Sequence, residues 1–346
     1  MGVSNNINTH VSKSYKLGNI SQNIFLEIAD TYQNNREHIR YITMIQQFYI
    51  LFPKQNIKID AINIRMLYLP EEIISGEKIQ EIADIYIGRT NDFMWNPRIM
   101  EQPEKHQIID DIWDDFENPP IVFVYGHLLH IFSQKIRYFK NEFVLITHNA
   151  DTDLTEENRD VTDILISDKL LGWWGQNLCF VHPKMHPVPI GIANSMWEHG
   201  NIDAFVITHK TRDKNLYVNF NEYTNRPARQ QCLNAVSEYG VLPMVGFKDH
   251  IVRIQEYISC ACPQGNGSDT HRLWESLYTG CVPVVIKNPF INTLMHYIGD
   301  QLPIMALNSW EEYRPIIEPF EFEKVEALTV DYYKQQIKMT VKSRSR

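Results

Sequence analysis

The stretch that most restricts how this chain can fold lies late, at residues 260–289. It reads as a short strand, a loop containing Gly265-Asn266-Gly267, a helix, a stop at Gly280 and a strand over 282–286. That last strand is an apolar, β-branched run, as parallel strands carry when both faces are covered. Gly265 and Gly267 are expected to let the backbone turn tightly and approach a ligand. Ser268 or Asp269 is expected to cap the helix and Gly280 to end it.

The helix has two unlike faces. Leu273, Trp274, Leu277 and Tyr278 suit a core, whereas Arg272, Glu275, Ser276 and Thr279 fall at i, i+3, i+4 and i+7 on a polar stripe. Arg272 stands in the first turn, where the helix dipole is already positive, so it is unfavourable there unless an anion sits in front. Loop amides, a helix N-terminus and an arginine together make a phosphate site. Glu275, one turn deeper, is placed to accept from ribose hydroxyls. The plainer alternative is an i, i+3 ion pair on a solvated surface.

Cys262-Pro-x-Gly265, followed by Arg272-x-x-Glu275-x-x-x-x-Gly280-x-x-Pro283-Val284, resembles the donor-side signature of exostosin-like glycosyltransferases. The longer form, Gly265-Asn-Gly-x-Asp269-x-His271-Arg-x-Trp274-Glu275, resembles a soluble branch of such enzymes found in large viruses and microbes. The likeness covers 216–290 and, more thinly, 83–200. It implies an α/β fold of GT-B type, two Rossmann-like domains facing an interdomain cleft, with the donor held by the C-terminal one. It also implies transfer of a sugar from a nucleotide-diphosphate donor, expected to be a UDP-sugar, to a hydroxyl of a glycan or glycoconjugate acceptor. The expected course is inverting, with no metal or other cofactor required.

Along the chain, strands alternate with helices, which implies a mostly parallel sheet with right-handed crossovers. Residues 1–20 are polar; 21–52 carry apolar residues at helical spacing, ended by Pro53. Strands are expected at 63–69, 82–87, 121–125, 143–147, 163–167, 178–181 and 188–192, and a helix at 105–116. In the second half a strand at 216–220 is followed by helices at 249–259, 291–298, 309–317 and 323–340. The sharpest composition shift, 208–215, marks a junction. The expected division is therefore 1–207, an acceptor-side Rossmann-like domain with an N-terminal helical extension; 208–322, a nucleotide-sugar-binding Rossmann-like domain; and 323–346, a helix crossing back and a basic tail.

At 346 residues and 44% apolar content, the chain is long enough to bury two cores. Its net charge of −9, from 33 basic and 42 acidic residues, argues against nucleic acid as a partner. Five cysteines at no disulfide-framework spacing suggest a reducing compartment. Cys260-x-Cys262 is too tight for a zinc hook and reads as a pair of small apolar fillers. No apolar run of about 18 residues occurs, so no transmembrane segment is expected. Nor does the N-terminus carry a secretory stretch, and Asn6 stands where myristoylation needs Ser or Thr. The sequon Asn266-Gly-Ser268 lies inside the expected donor loop. A cytoplasmic location is expected, unlike that of the membrane-anchored animal exostosins.

Donor binding is assigned to two groups. Asn221, Thr224, Asn225 and Arg229 belong to a capped helix start with Pro227 in its first turn, which resembles a Phe-x-x-x-Thr-Asn-x-x-x-Arg element of the same branch. Gly265, Asn266, Gly267, Asp269, Thr270, His271, Arg272 and Glu275 belong to the loop and helix already described. Arg229, Arg272 and backbone amides can neutralise a departing diphosphate without a metal. The polar-aromatic turn with Asn194, Trp197 and His199 suits stacking of an acceptor sugar. Inversion needs a general base, for which Asp151 is preferred, then His127, with His148 and Asp153 also at strand ends. Three alternatives stand beside this reading. Asp151-Thr-Asp153 resembles the manganese site of GT-A transferases, which would make the reaction depend on a divalent metal. The chain is otherwise a silent nucleotide-sugar-binding module, or binds an adenine dinucleotide, for which the GxGxxG spacing is missing.

Overall fold

A computed structural model describes residues 68–205, 212–316 and 324–342. The chain divides into two compact units, Met1–Met66 with Phe205–His209, and Leu67–Ala204 with Lys210–Arg346. Of the first unit only Phe205 is among the described residues. The helix expected at 21–52 lies outside them, as do most of the strand at 63–69 and half of the junction at 208–215.

The second unit holds two all-parallel sheets. The first has six strands: β1 (Ile85–Gly88), β2 (His106–Ile108), β3 (Ile121–Tyr125), β4 (Phe143–His148), β5 (Leu170–Gly175) and β6 (Met185–Pro187), in the order β2-β1-β3-β4-β5-β6. The second has four: β7 (Lys214–Tyr217), β8 (Tyr257–Ala261), β9 (Val282–Ile286) and β10 (Met305–Leu307), in the order β10-β9-β8-β7. Every residue of β3 and β4 is buried. These uninterrupted apolar runs suit central parallel strands covered on both faces.

Ten α-helices lie among the described residues. In the first half they are α1 (Gly76–Gln80), α2 (Thr90–Met94), α3 (Pro97–Met100), α4 (Leu129–Lys135) and α5 (Arg159–Leu165). The others are α6 (Arg226–Val236), α7 (Phe247–Ile254), α8 (His271–Tyr278), α9 (Pro289–Ile298) and α10 (Val330–Lys342). Among these residues no helix is long and apolar enough to cross a membrane. The second sheet's core gathers Leu216, Val218, Ala261 and Val284 with Cys232 and Val236 of α6 and Trp310. Helix α10 lies against β4 and β5 of the first sheet. Gly172 allows this approach, since a Cβ there would stand 2.8 Å from Thr340 Cγ2, and Tyr333 meets Trp174 edge-on at 6.2 Å.

Several expected elements differ. The helix expected at 105–116 is instead β2 with a 3-10 turn, Ile109–Asp111, because a short edge strand needs no long apolar run. Residues 163–167 belong mostly to α5, whose Val161, Ile164 and Leu165 are buried at helical spacing behind the Asn158 cap. The strands expected at 178–181 and 188–192 fall earlier, as β5 and β6. Residues 249–259 divide into α7 and the start of β8, and among the described residues of 309–317 only Trp310–Glu312 is helical, as a 3-10 turn.

Parallel strands put all their carboxyl ends on one edge, and the polar residues that follow them build the site. Two such ends, Asn149 after β4 and Asn177 after β5, hold left-handed φ of 59° and 54°. Asparagine tolerates that conformation better than most residues.

Candidate functional site

Helix α8 anchors the site. Its N-cap is Thr270, with no side-chain capping bond; neither Ser268 nor Asp269 caps it. Gly280, at φ 73°, ends it as expected. Gly265 and Gly267 are not among the left-handed glycines, so their value lies elsewhere. A Cβ on Gly267 would stand 3.1 Å from Asn177 Nδ2 and 3.2 Å from Asp151 O, and one on Gly265 3.4 Å from Arg229 Nη2. The loop is thin because other groups press on it.

Those groups join the two sheets. Asp153 accepts from Ser268 N (3.3 Å) and Ser268 Oγ (2.8 Å). Asp269 N donates to Asn177 Oδ1 (2.8 Å), Ile190 N to Asp269 Oδ2 (2.7 Å), and His271 Nδ1 to Gly191 O (2.8 Å). The other Asp269 oxygen accepts from Trp274 Nε1 at 2.6 Å. Burial outweighs these bonds and pushes the Asp269 carboxyl up to about 7. Asp153 is thus occupied by Ser268. Among the described residues no group of three or more His, Cys, Asp or Glu is placed to hold a metal.

Above this seam lies a cavity of about 410 Å³. Ten of the twelve residues expected to bind donor line it: Thr224, Arg229, Gly265, Asn266, Gly267, Asp269, Thr270, His271, Arg272 and Glu275. Asn221 and Asn225 do not. Asn225 caps α6 and donates to Gly265 O (2.8 Å), while Asn221 accepts from Tyr223 N and gives its carbonyl to Arg229. A second cavity of about 410 Å³ adjoins the first, sharing Asp151, Ile190, Ala193, Trp197 and His271 with it. Of the acceptor candidates, Trp197 lines both, His199 the first and Asn194 the second.

The catalytic candidates separate. Asp151 stands where the cavities meet, and its carboxylate accepts no hydrogen bond from a described residue. His148 lines the second cavity but has neither nitrogen free: Nδ1 accepts from Asn149 N (2.8 Å) and Nε2 donates to Pro189 O (3.0 Å). Burial lowers its pKa to about 4. His127 lines neither cavity; its Nε2 pairs with Asp92 Oδ1 at 3.1 Å.

The polar stripe of α8 is not a solvated surface. Arg272 Nε pairs with Glu275 Oε2 at 3.3 Å, with side chains 18% and 6% exposed, and Arg272 Nη1 donates to Asn219 O. Helix α7 adds a residue that sequence reasoning passed over. His250 Nε2 donates to the same Glu275 Oε2 at 3.3 Å, while its Nδ1 accepts from Tyr217 Oη at 3.0 Å. Burial and the Arg272 charge hold His250 below its ordinary value, in keeping with a neutral ring. Burial alone would raise Glu275, but His250 and Arg272 hold it down at about 2, so it is ionised. Both contacts use Oε2, and Oε1 accepts from no described residue. Arg229 donates from Nε to Gln264 O (3.1 Å), and burial, then Arg272, lowers its pKa to about 10. Two guanidiniums therefore converge on one cavity, whose lining also holds the carboxyl groups of Asp151, Asp269 and Glu275.

Comparison with protein-family models finds none that matches the chain, and comparison with curated proteins finds no match.

Proposed function

We propose that the chain is a glycosyltransferase of GT-B type, moving a sugar from a nucleotide-diphosphate donor to an acceptor hydroxyl. The observation that carries the reading is the paired charge of Arg229 and Arg272 in one cavity at the N-terminus of α8. Two guanidiniums facing one half-buried cavity suit a polyanion, and a diphosphate offers acceptor oxygens to both. Glu275 Oε1 is then placed for ribose hydroxyls, its carboxylate fixed by Arg272 and His250. The resemblance of 216–290 to exostosin-like enzymes supports the same assignment.

In the reaction the acceptor oxygen bonds to the anomeric carbon as the bond from that carbon to the diphosphate oxygen breaks. The electron pair leaves with the diphosphate, where Arg229 and Arg272 meet the growing charge. The hydroxyl proton passes to Asp151, which lies where the two cavities join. A second candidate for that proton is His271, shared by both cavities. Its Nδ1 donates to Gly191 O and so leaves Nε2 with a lone pair.

The test is a thermal-shift screen of nucleotide-sugars, since a ligand bound only by the folded state raises its midpoint by mass action. UDP-sugars are expected to stabilise the wild type, and Arg272→Ala to weaken their binding on the order of tenfold to a hundredfold. Asp151→Asn is expected to abolish transfer while keeping donor binding; transfer that survives in it but not in His271→Gln moves the base to His271. The absence of any nucleotide-sugar shift overturns the reading.

A further inference from the structure

A chain of three buried side chains ends on the first cavity. Tyr217, the last residue of β7, is fully buried, and His250 of α7 and Glu275 of α8 are each 4% exposed. Tyr217 Oη lies 3.0 Å from His250 Nδ1, and His250 Nε2 lies 3.3 Å from Glu275 Oε2. The rings of Tyr217 and Phe247 stand 5.4 Å and 6.2 Å from the imidazole, which is thus held by packing as well as by hydrogen bonds.

The direction of the protons along this chain is fixed at its cavity end. Glu275 is ionised and only accepts, so His250 carries its proton on Nε2. A neutral ring then has a lone pair on Nδ1, and Tyr217 is the group that donates to it. The opposite tautomer would turn a lone pair toward the carboxylate. His250 therefore holds Glu275 without adding a charge, whereas Arg272, which also donates to Oε2, faces the cavity and its anion. What remains is Glu275 Oε1. It accepts from no described residue and is not among the buried polar atoms that lack a partner, so it opens on the cavity that Glu275 lines. A ligand that brings a hydroxyl to this oxygen gains a charge-assisted hydrogen bond. One without it covers the oxygen and leaves it unpaired. We infer that Tyr217 and His250 are positioning residues that turn Glu275 Oε1 to the cavity as a fixed acceptor, and that the site thereby takes a ribonucleoside diphosphate and rejects its deoxy counterpart. The nucleotide rests on the glycosyltransferase reading; the demand for a hydroxyl donor rests on the three side chains themselves.

The experiment is isothermal titration calorimetry of the full chain with UDP, its 2′-deoxy and 3′-deoxy forms, and inorganic pyrophosphate. It uses the wild type, His250→Leu, His250→Gln and Tyr217→Phe. In the wild type at least one deoxy form is expected to bind about tenfold to a hundredfold more weakly than UDP. His250→Leu is expected to weaken UDP about tenfold and to leave pyrophosphate and that deoxy form within about twofold, so that the discrimination is largely lost. His250→Gln, whose amide nitrogen donates as Nε2 does, is expected to bring it back to within about threefold of the wild type. A merely structural role would lower all four ligands together. Should His250→Leu fail to fold, Tyr217→Phe leaves the imidazole in place but removes its donor, and is expected to reduce the discrimination about threefold. Equal binding of UDP and both deoxy forms by the wild type overturns the inference and leaves the donor assignment standing. So does unchanged discrimination, or an equal loss for all four ligands, in the folded variants. No binding of UDP overturns both.

Discussion

Asp269 allows a test of the seam that needs no ligand. Its carboxyl is 3% exposed, accepts from Ile190 N and Trp274 Nε1, and is held by burial at about 7 against an ordinary 3.8. The folded protein therefore binds this proton more tightly than the unfolded chain does. The resulting stability is fully present below the unfolded value and is lost as pH rises through the folded one. At about 1.4 kcal/mol per unit, the whole interval is worth roughly 4 kcal/mol, of which roughly 2–3 kcal/mol falls between about pH 5 and about pH 8. Asp269→Asn keeps the shape and one acceptor but has no proton to lose. Urea unfolding of both proteins at those two pH values gives the wild type's advantage at each. That advantage is expected to shrink by roughly 2–3 kcal/mol toward the higher pH, since other titrating groups cancel in the difference. An advantage constant to within about 0.5 kcal/mol would refute the reasoning.

Gly76→Ala places a Cβ 1.9 Å from Asn149 Oδ1 and 2.9 Å from His148 Nδ1, and is expected to lose about 1–3 kcal/mol in urea unfolding. Gly246→Ala, with open space around it, is the control and is expected to lose none. His148 has its folded value lowered from 6.5 to about 4, so its contribution is present above 6.5 and lost as pH falls through 4. His148→Gln is expected to remove roughly 3 kcal/mol of acid sensitivity, read by the same unfolding series; an unchanged acid limb contradicts the burial. Of the five cysteines only Cys179 is partly exposed. A thiol reagent is therefore expected to label one site slowly in the native protein and all five after unfolding, and fast labelling of two or more contradicts the packing around β8.

The parallel α/β plan was legible because β3, β4 and β9 are apolar runs that end in polar residues. β2 was not, since His106-Gln107-Ile108 is half-buried and takes its form from pairing with β1. Arg272 and Glu275 were readable because helical spacing alone puts them on one face. Their burial was not readable, because it comes from α7, which brings His250 onto Glu275 across 25 positions. Likewise Asn177 meets Asp269 across 92 positions and Asp153 meets Ser268 across 115, contacts that only the folded chain makes.

The seam beneath the cavities also bears on how molecules come and go. Five hydrogen bonds cross it, from Ser268 N and Oγ, Asp269 N, Ile190 N and His271 Nδ1. At about 1 kcal/mol net for each, these five bonds alone set a cost of roughly 5 kcal/mol against parting the sheets, to which Tyr278 Oη on Ile74 N and Tyr297 Oη on His182 add. The rim near Trp197 and Thr224 offers the easier way in, since exposed side chains there turn on the picosecond-to-nanosecond scale. The gate is a matter of a few turns at the lip, over a floor that stays shut.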